Sequence, residues 1–588
     1  MRRIHEIKKV YKNNLFIAIG INIIFLSFVL LFCDIKYEVS DDFVMASIMS
    51  GAYGGEFNPQ LIFVNTVVGY ILLPLYHLFP QVSWYLVFQL LLCFFAFVLV
   101  TYMLLERNGK PVGVLLSIFL ITFFSDDVYV LPQFTKTAAL VFMAGAVTFL
   151  WGTFVEKSLV IQIISAILCV LGSMVRFSGI FLMGSFILLI LFYEFVNFWH
   201  KKVGWKNYLH VFISGIILMI SVFGMRMIDS YTYYNDARSE FFLKYNSVRA
   251  QIVDQKDYGY AAYEKELKKI GISEVDYNML KTWNFDDENY FTLEKMEQVA
   301  SIITQYNSKN KVSIEDAFQE IQNRKVIGYP VFLACLILLI LSICINKKSL
   351  WCFGLFGIGL ALEMYFVLSG RIVYRVEYGI FVGIFLGILY FWNSKNLHFL
   401  EEKIYMKELI ITLSSFFMII QLPLYIPSHS YKKVTTEKRK EYIDSIFNAS
   451  WEYDARKYRG VVNKKEKKNG LLEEIENHEE NMYFFDFATA IQSLYYEWNP
   501  VENVPKGYNN NALYLGGIMT NLPCVDWILE QRGIESPIQS LVQEHVYLVD
   551  NAWLELKLDY LRQHYYPNAW AELYKEIDGY QIWKIYAE

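Results

Sequence analysis

Two adjacent carboxylates, Asp41 and Asp42, follow the first apolar segment of the chain, in the stretch Tyr37-Glu-Val-Ser-Asp-Asp-Phe. Ionisable side chains placed where a helix leaves a bilayer are costly, so they mark a candidate functional site. A positioned carboxylate can take the proton of an attacking hydroxyl group, which is the role of a general base. The alternative is structural, because Ser and Asp favour helix N-termini and the pair could cap a helix after Ser40.

A second acidic pair, Asp126 and Asp127, follows the third apolar segment, and Lys136 closes the same loop. Helix capping or simple solvation is the alternative for these two acids. Together the two pairs predict that acidic side chains from distant parts of the chain gather at one membrane face.

Arginines lie in predicted short loops on the same side, namely Arg176, Arg371 and Arg375. The last two are four residues apart, so in a helix they would share a face. Basic residues normally collect in cytoplasmic loops, so arginines in outer loops need another explanation. Binding an anion is the simplest one, because guanidinium groups grip phosphate with two hydrogen bonds. Pairing with Glu377 or contact with lipid headgroups is the alternative.

Acids and cations gathered at one membrane face suit the transfer of a sugar from a lipid phosphate. Phosphate is already a good leaving group and needs no acid, but it does need cations as negative charge develops. The acceptor hydroxyl needs a carboxylate to remove its proton.

The composition predicts an integral membrane protein. Of the 588 residues, 55% are hydrophobic and only 19% are charged, whereas soluble domains carry about 25% charged residues. A net charge of −5 argues against a nucleic-acid partner, which would require a basic surface. The seven cysteines show no CxxC spacing, so we expect neither a disulfide framework nor a zinc site.

Apolar runs predict about eleven membrane spans. They lie near 14–33, 83–105, 112–125, 137–154, 158–175, 177–199, 208–227, 327–345, 350–369, 378–393 and 408–426. The run 61–79 contains Asn65, Pro74 and His77 and is predicted to lie in the membrane interface. With that assignment the short basic loops fall on one side, so the positive-inside rule predicts a cytoplasmic N-terminus.

Two larger parts are then predicted outside the membrane. The loop 228–326 is predicted to be helical, with two capping boxes, Ser273 with Asp276 and Ser313 with Asp316. Its stretch Tyr245–Asp254 is polar on one face and could support a substrate cleft. The C-terminal part, 427–588, alternates helical and strand-like segments, which is typical of a small α/β domain, and the basic segment 432–468 would link it to the spans.

This layout resembles the GT-C superfamily of polyprenyl-phosphate-sugar-dependent glycosyltransferases. The similar features are a first outer loop that opens with an acidic pair, an interfacial segment ending at Leu78-Phe-Pro-Gln-Val-Ser-Trp-Tyr, a second acidic outer loop and a C-terminal domain outside the membrane. The superfamily usually has Asp-Glu where this chain has Asp-Asp. Glu56-Phe-Asn-Pro-Gln stands where the superfamily has a basic Lys-Pro-Pro stretch.

The resemblance implies roles for the acids. Asp41 or Asp42 would be the catalytic base or a metal-binding carboxylate, and Asp126 or Asp127 would support the acceptor or a metal. A divalent cation such as Mg or Mn is possible but not required.

We therefore predict an α-helical polytopic membrane enzyme, with a GT-C-like module over 1–426 and an extracytoplasmic α/β domain over 427–588. Its function would be that of an inverting glycosyltransferase in a bacterial plasma membrane, with Arg371, Arg375, Lys136 and Arg176 binding the lipid phosphate. Its partners would be a polyprenyl-phosphate-linked sugar, a hydroxyl acceptor such as a cell-wall or surface glycan, and membrane lipids. The alternative is a transporter or flippase of lipid-linked glycans, although such carriers usually show internal repeats and none is visible in this sequence.

Overall fold

The computed structural model of the protein describes residues 2–33, 35–201, 205–310, 312–324, 326–345, 349–370, 372–392, 470–490 and 500–588. The predicted span 408–426, the linker 432–468, the domain boundary at 427 and Arg371 lie outside these residues. The described part is mostly helical and carries a small sheet near its C-terminus, which confirms the predicted fold class.

The N-terminal part is a bundle of apolar helices. Its elements are α1 Arg2–Phe32, α2 Ser40–Met49, α3 Thr66–Leu78, α4 Trp84–Asn108, α5 Lys110–Phe124, α6 Asp126–Tyr129, α7 Phe134–Phe154, α8 Leu159–Val175, α9 Gly179–His200 and α10 Trp205–Tyr234. Every predicted span in this region coincides with one of these helices. The predicted interfacial run corresponds to α3, whose 13 residues extend about 20 Å, less than the roughly 30 Å of a bilayer core.

A helical insertion follows α10, as the capping boxes predict. It comprises α11 Ala237–Val253, α12 Tyr260–Lys269, α13 Glu274–Lys281, α14 Leu293–Lys309 and α15 Ile314–Asn323. Ser273 and Asp276 form a complete capping box at the start of α13. At α15 the Asp316 N–H donates to Ser313 Oγ at 3.0 Å, so both predicted helix starts are confirmed.

Three further apolar helices return the chain to the bundle, α16 Pro330–Ile345, α17 Ser349–Leu368 and α18 Tyr374–Phe391. Among the described residues, seven helices are long and apolar enough to cross a membrane, and four more are apolar but shorter.

The centre of the bundle is formed by α7 and α18, which are almost entirely buried, whereas α10 keeps most of its apolar side chains exposed. Helices α7 and α8 approach closely at two glycines. A Cβ on Gly145 would lie 2.8 Å from the Cys169 nitrogen, and one on Gly172 would lie 2.7 Å from the Phe142 nitrogen. Small residues allow such close backbone packing between membrane helices.

The described C-terminal part is an α/β unit. Its elements are α19 Gly470–Asn477, β1 Met482–Phe485, α20 Phe487–Ala490, β2 Ala512–Tyr514, α21 Pro523–Gln531, α22 Pro537–Ser540, β3 Val546–Val549, α23 Leu554–His564, β4 Trp570–Ile577 and β5 Tyr580–Tyr586. The strand order is β2-β1-β3-β5-β4. Strand β1 runs parallel to β2 and β3, and Tyr483 is in register with Ala512 and Tyr547. Strands β4 and β5 form an antiparallel hairpin.

The C-terminal unit contacts both of the other parts. The Gly507 N–H donates to Gly51 O at 2.8 Å, directly after α2. On the insertion side, Tyr560 Oη donates to Asp287 Oδ2 at 2.7 Å, and His564 Nε2 lies 2.6 Å from Asp276 Oδ1. The C-terminal unit is therefore joined to both the bundle and the insertion.

Candidate functional site

A cavity of about 700 Å³ lies where the helix bundle, the insertion and the C-terminal unit meet. Such a volume is typical of small-molecule sites, which span about 300–1,000 Å³. The charged residues in its wall are Asp41, Asp254, Lys256, Asp316, Glu320 and Arg375.

Asp41 lies in the first turn of α2 and is half-buried. Burial raises the pKa of its carboxyl group, while three guanidinium groups oppose that shift, in decreasing order Arg375, Arg249 and Arg176. Burial prevails, so the pKa of Asp41 lies above its ordinary value. A carboxylate with a raised pKa is a better proton acceptor than an ordinary one.

The arginines around Asp41 come from three separate elements. Arg375 belongs to the first turn of α18 and lies in the cavity wall. Arg249 belongs to α11. Arg176 follows α8, and its guanidinium lies 5.2 Å from the ring centroid of Phe63 and 5.3 Å from that of Phe134.

Asp42 is fully buried and does not share the position of its neighbour. Its Oδ1 accepts hydrogen bonds from Tyr85 Oη at 3.0 Å and from Gln89 Nε2 at 2.8 Å. The Phe134 N–H donates to the same carboxylate at 3.2 Å, at the beginning of α7. Asp42 therefore fastens α2 to α4 and α7.

The second acidic pair is also buried. Asp127 Oδ1 lies 3.2 Å from Lys136 Nζ, and Asp127 Oδ2 accepts a hydrogen bond from Tyr374 Oη at 2.9 Å. Lys136 Nζ also lies 3.1 Å from Glu38 Oε2. We call Glu38, Lys136, Asp127 and Tyr374 the buried ion network. Asp126 lies one residue before Asp127 at the start of α6 and is buried as well.

The buried ion network changes the interpretation of Lys136. Its ammonium group is completely buried between two carboxylates, so it compensates charge inside the protein, and our proposal does not place it at the phosphate. The network connects the segment before Asp41 with the residue before Arg375. It thereby holds the acid and the cation of the cavity wall in place.

Glu377 is engaged by a partner that the sequence did not indicate. Arg324 Nη2 lies 2.5 Å from Glu377 Oε2, and Arg324 Nε donates to Oε1 at 3.2 Å. This bidentate pair joins the end of the insertion to α18.

Sequence reasoning gave no role to Arg249, and it did not single out Trp283 or Phe487, although both aromatic rings lie in the cavity wall. The polar face of Tyr245–Asp254 was a usable signal, because that stretch contains Arg249 and ends at Asp254 in the wall. The aromatic residues gave none, since they belong to parts of the chain more than two hundred residues apart.

No group of three or more His, Cys, Asp or Glu side chains in the described residues is placed to hold a metal ion. The carboxylates of the cavity wall form no such group among the described residues, and we derive no step through a metal.

No family model matches the sequence, and no curated protein matches it. Two solved structures align over nearly the whole chain. One is ArnT from Cupriavidus metallidurans in the apo state, with a TM-score of 0.38, 9% identity and coverage of 97% of this chain and 98% of that chain. The other is the same protein bound to undecaprenyl phosphate, with a TM-score of 0.38, 11% identity and coverage of 96% and 97%.

A TM-score of 0.38 is a distant likeness, so the chemistry proposed for this protein rests on its own residues.

The burial of Asp42 predicts a pH-dependent stability. Burial raises the pKa of this carboxyl from 3.8 to about 7. The folded protein thus binds the proton more tightly than the unfolded chain between about pH 4 and pH 7, so this group makes stability fall as the pH rises through that window. Asp42→Asn keeps the shape and does not titrate. In thermal unfolding in detergent, the melting temperature of Asp42→Asn should rise relative to that of the wild type as the pH increases from 5 to 8. A constant difference between the two melting temperatures would contradict the raised pKa of Asp42.

The buried ion network predicts a large effect for Lys136→Met. Removing the ammonium group leaves Glu38 and Asp127 without their shared counter-charge, which costs about 3–5 kcal/mol for a buried pair. The melting temperature should fall sharply. The matched control is the triple variant Glu38→Gln, Lys136→Met, Asp127→Asn, which has no buried charge and should recover most of the loss. Equal melting temperatures of Lys136→Met and the wild type would argue against the buried ion network.

Proposed function

We propose that the protein is a membrane glycosyltransferase that moves a sugar from a polyprenyl-phosphate carrier to a hydroxyl acceptor outside the membrane. The observation that carries the proposal is that Asp41 and Arg375 lie in the wall of one cavity. Both residues lie at the ends of the apolar helices, where a lipid-linked donor and a water-soluble acceptor can meet.

The proposed reaction is a direct displacement at the anomeric carbon. Arg375 holds the donor phosphate with two charge-assisted hydrogen bonds, and Arg249 and Arg176 add positive potential as the phosphate takes up negative charge. The acceptor oxygen forms a bond to the anomeric carbon while the bond from that carbon to the phosphate oxygen breaks. Asp41 takes the acceptor proton, and polyprenyl phosphate leaves. Attack from the face opposite the phosphate inverts the configuration.

The sidedness is part of the proposal. Helices α4 and α7 begin beside Asp42 and end near Arg107 and Lys157, so the basic loops lie at the opposite end of the bundle from the cavity. The positive-inside rule then supports a cavity on the outer side of the membrane. We propose a bacterial plasma membrane, with a cell-wall or surface glycan as the acceptor.

Replacing Asp41 tests the proposed base. A general base contributes about 10²–10⁴-fold to the rate, so Asp41→Asn should lower transfer from a radiolabelled undecaprenyl-phosphate sugar by a factor in that range. In the wild type, kcat/KM should fall with decreasing pH through a pKa above the ordinary carboxyl value, since only the deprotonated Asp41 accepts the proton.

The control for Asp41→Asn is Glu315→Gln, which removes an exposed carboxylate on α15 outside the cavity wall and should leave transfer unchanged. Full activity of Asp41→Asn would reject the role. Movement of the labelled lipid across liposomes without bond cleavage would favour the transporter instead.

Replacing Arg375 tests the phosphate site separately from the chemistry. Hydrogen bonds to charged groups contribute about 1.5–3 kcal/mol, so Arg375→Met should weaken binding of undecaprenyl phosphate by at least about tenfold. Asp41→Asn should bind the same lipid as tightly as the wild type or more tightly. Titration of the purified proteins with undecaprenyl phosphate in detergent measures both, and equal affinity of wild type and Arg375→Met would refute the phosphate role.

A further inference from the structure

Trp283 occupies a backbone position that normally takes glycine. It follows α13, and its N–H donates to Leu280 O at 3.1 Å while the Asn284 N–H donates to Met279 O at 2.9 Å. These two bonds define a Schellman motif with Trp283 at the left-handed C′ position, where its φ is +68°. A side chain other than glycine costs about 1–2 kcal/mol in that conformation. The backbone alone would therefore favour glycine.

The Trp283 side chain forms part of the cavity wall. Its indole stacks on the ring of Phe487, with centroids 5.0 Å apart and planes 9° apart, and both residues line the cavity. The Arg249 guanidinium lies 5.1 Å from the Trp283 ring centroid. Since Arg249 also acts on Asp41, the aromatic pair lies near the proposed base.

The C-terminal unit fixes the Trp283 backbone. The Gly517 N–H donates to Trp283 O at 2.8 Å, and a Cβ on Gly516 would overlap the same carbonyl oxygen. Gly516 follows β2, and Phe487 follows β1. The cavity thus opens at the carboxyl ends of two neighbouring parallel strands, which is where α/β sheets commonly bind ligands.

Another part of the cavity wall is polar. Helix α15 contributes Gln319, Glu320 and Asn323, whose amide and carboxylate groups can hydrogen-bond to hydroxyl groups. A sugar ring has an apolar C–H face and a rim of hydroxyl groups, so it can pack on an aromatic surface and hydrogen-bond to a polar wall at once. A lipid chain would leave this polar wall without partners.

We propose that the aromatic pair Trp283 and Phe487 is the surface against which a carbohydrate acceptor packs. This inference deepens the proposed function and rests on it, because it assigns the residues that bind the glycan acceptor. It also gives a reason for a tryptophan at a position where the backbone favours glycine.

The test is equilibrium binding of three neutral tetrasaccharides, built of hexose, N-acetylhexosamine or 6-deoxyhexose units, to the purified full-length protein in detergent. Ligand-detected saturation-transfer NMR should show at least one of them binding through its ring protons. Trp283→Gly should weaken that binding by at least about tenfold, the effect of losing an aromatic contact. Trp283→Phe, which keeps a ring, should stay within a few-fold of the wild type.

Two controls separate binding from folding and from the donor site. Trp527→Leu removes an exposed tryptophan outside the cavity wall and should bind the saccharides as the wild type does. Trp283→Gly should bind undecaprenyl phosphate normally, which shows that the protein is folded and the donor site intact. Phe487→Leu removes the ring that stacks on Trp283, so it should also weaken saccharide binding.

The proposal is overturned if none of the tetrasaccharides binds the wild type, if Trp283→Gly binds them equally well, or if a hydroxyl-bearing peptide binds in their place. A failure of the proposed function is distinct, because it would appear as absent binding of undecaprenyl phosphate to the wild type.

Discussion

The structure depends on the buried ion network, in which Lys136 lies between Glu38 and Asp127 and Tyr374 donates to Asp127. Charges without access to water are stable only when they are paired, so these segments cannot separate without a large penalty. Glu38 precedes α2, which carries Asp41, and Tyr374 directly precedes Arg375. The network therefore sets where the proposed base and the proposed phosphate ligand stand relative to each other.

The remaining walls of the cavity come from outside the helix bundle. The insertion supplies Asp254, Trp283 and the polar side of α15, and the C-terminal unit supplies Phe487 and the glycines after β2. In our proposal this division has a purpose: the bundle holds the lipid-linked donor, and the two other parts shape the acceptor side. Variation in those parts could change the acceptor without disturbing the buried ion network.

The sequence predicted those parts of the fold that depend on residues close together in the chain. Apolar length located the helices, and the spacing of Ser273 and Asp276 located the start of α13, because both depend on near neighbours in the chain. The choice between Asp41 and Asp42 was not predictable. Adjacent helical residues point about 100° apart, and the groups that bury Asp42, such as Gln89 and Phe134, lie far away in sequence. Lys136 was equally ambiguous, because the sequence alone does not distinguish a lysine buried between two acids from a lysine that binds phosphate.

In the proposed mechanism, Asp41 and Arg375 act on one substrate from the wall of one cavity. A cryo-EM structure of the protein with undecaprenyl phosphate would show where the phosphate binds. We expect the phosphate within hydrogen-bond distance of the Arg375 guanidinium, with the Asp41 carboxylate facing the space beside it. A phosphate bound at another surface, with Asp41 and Arg375 turned away from it, would refute the proposed mechanism.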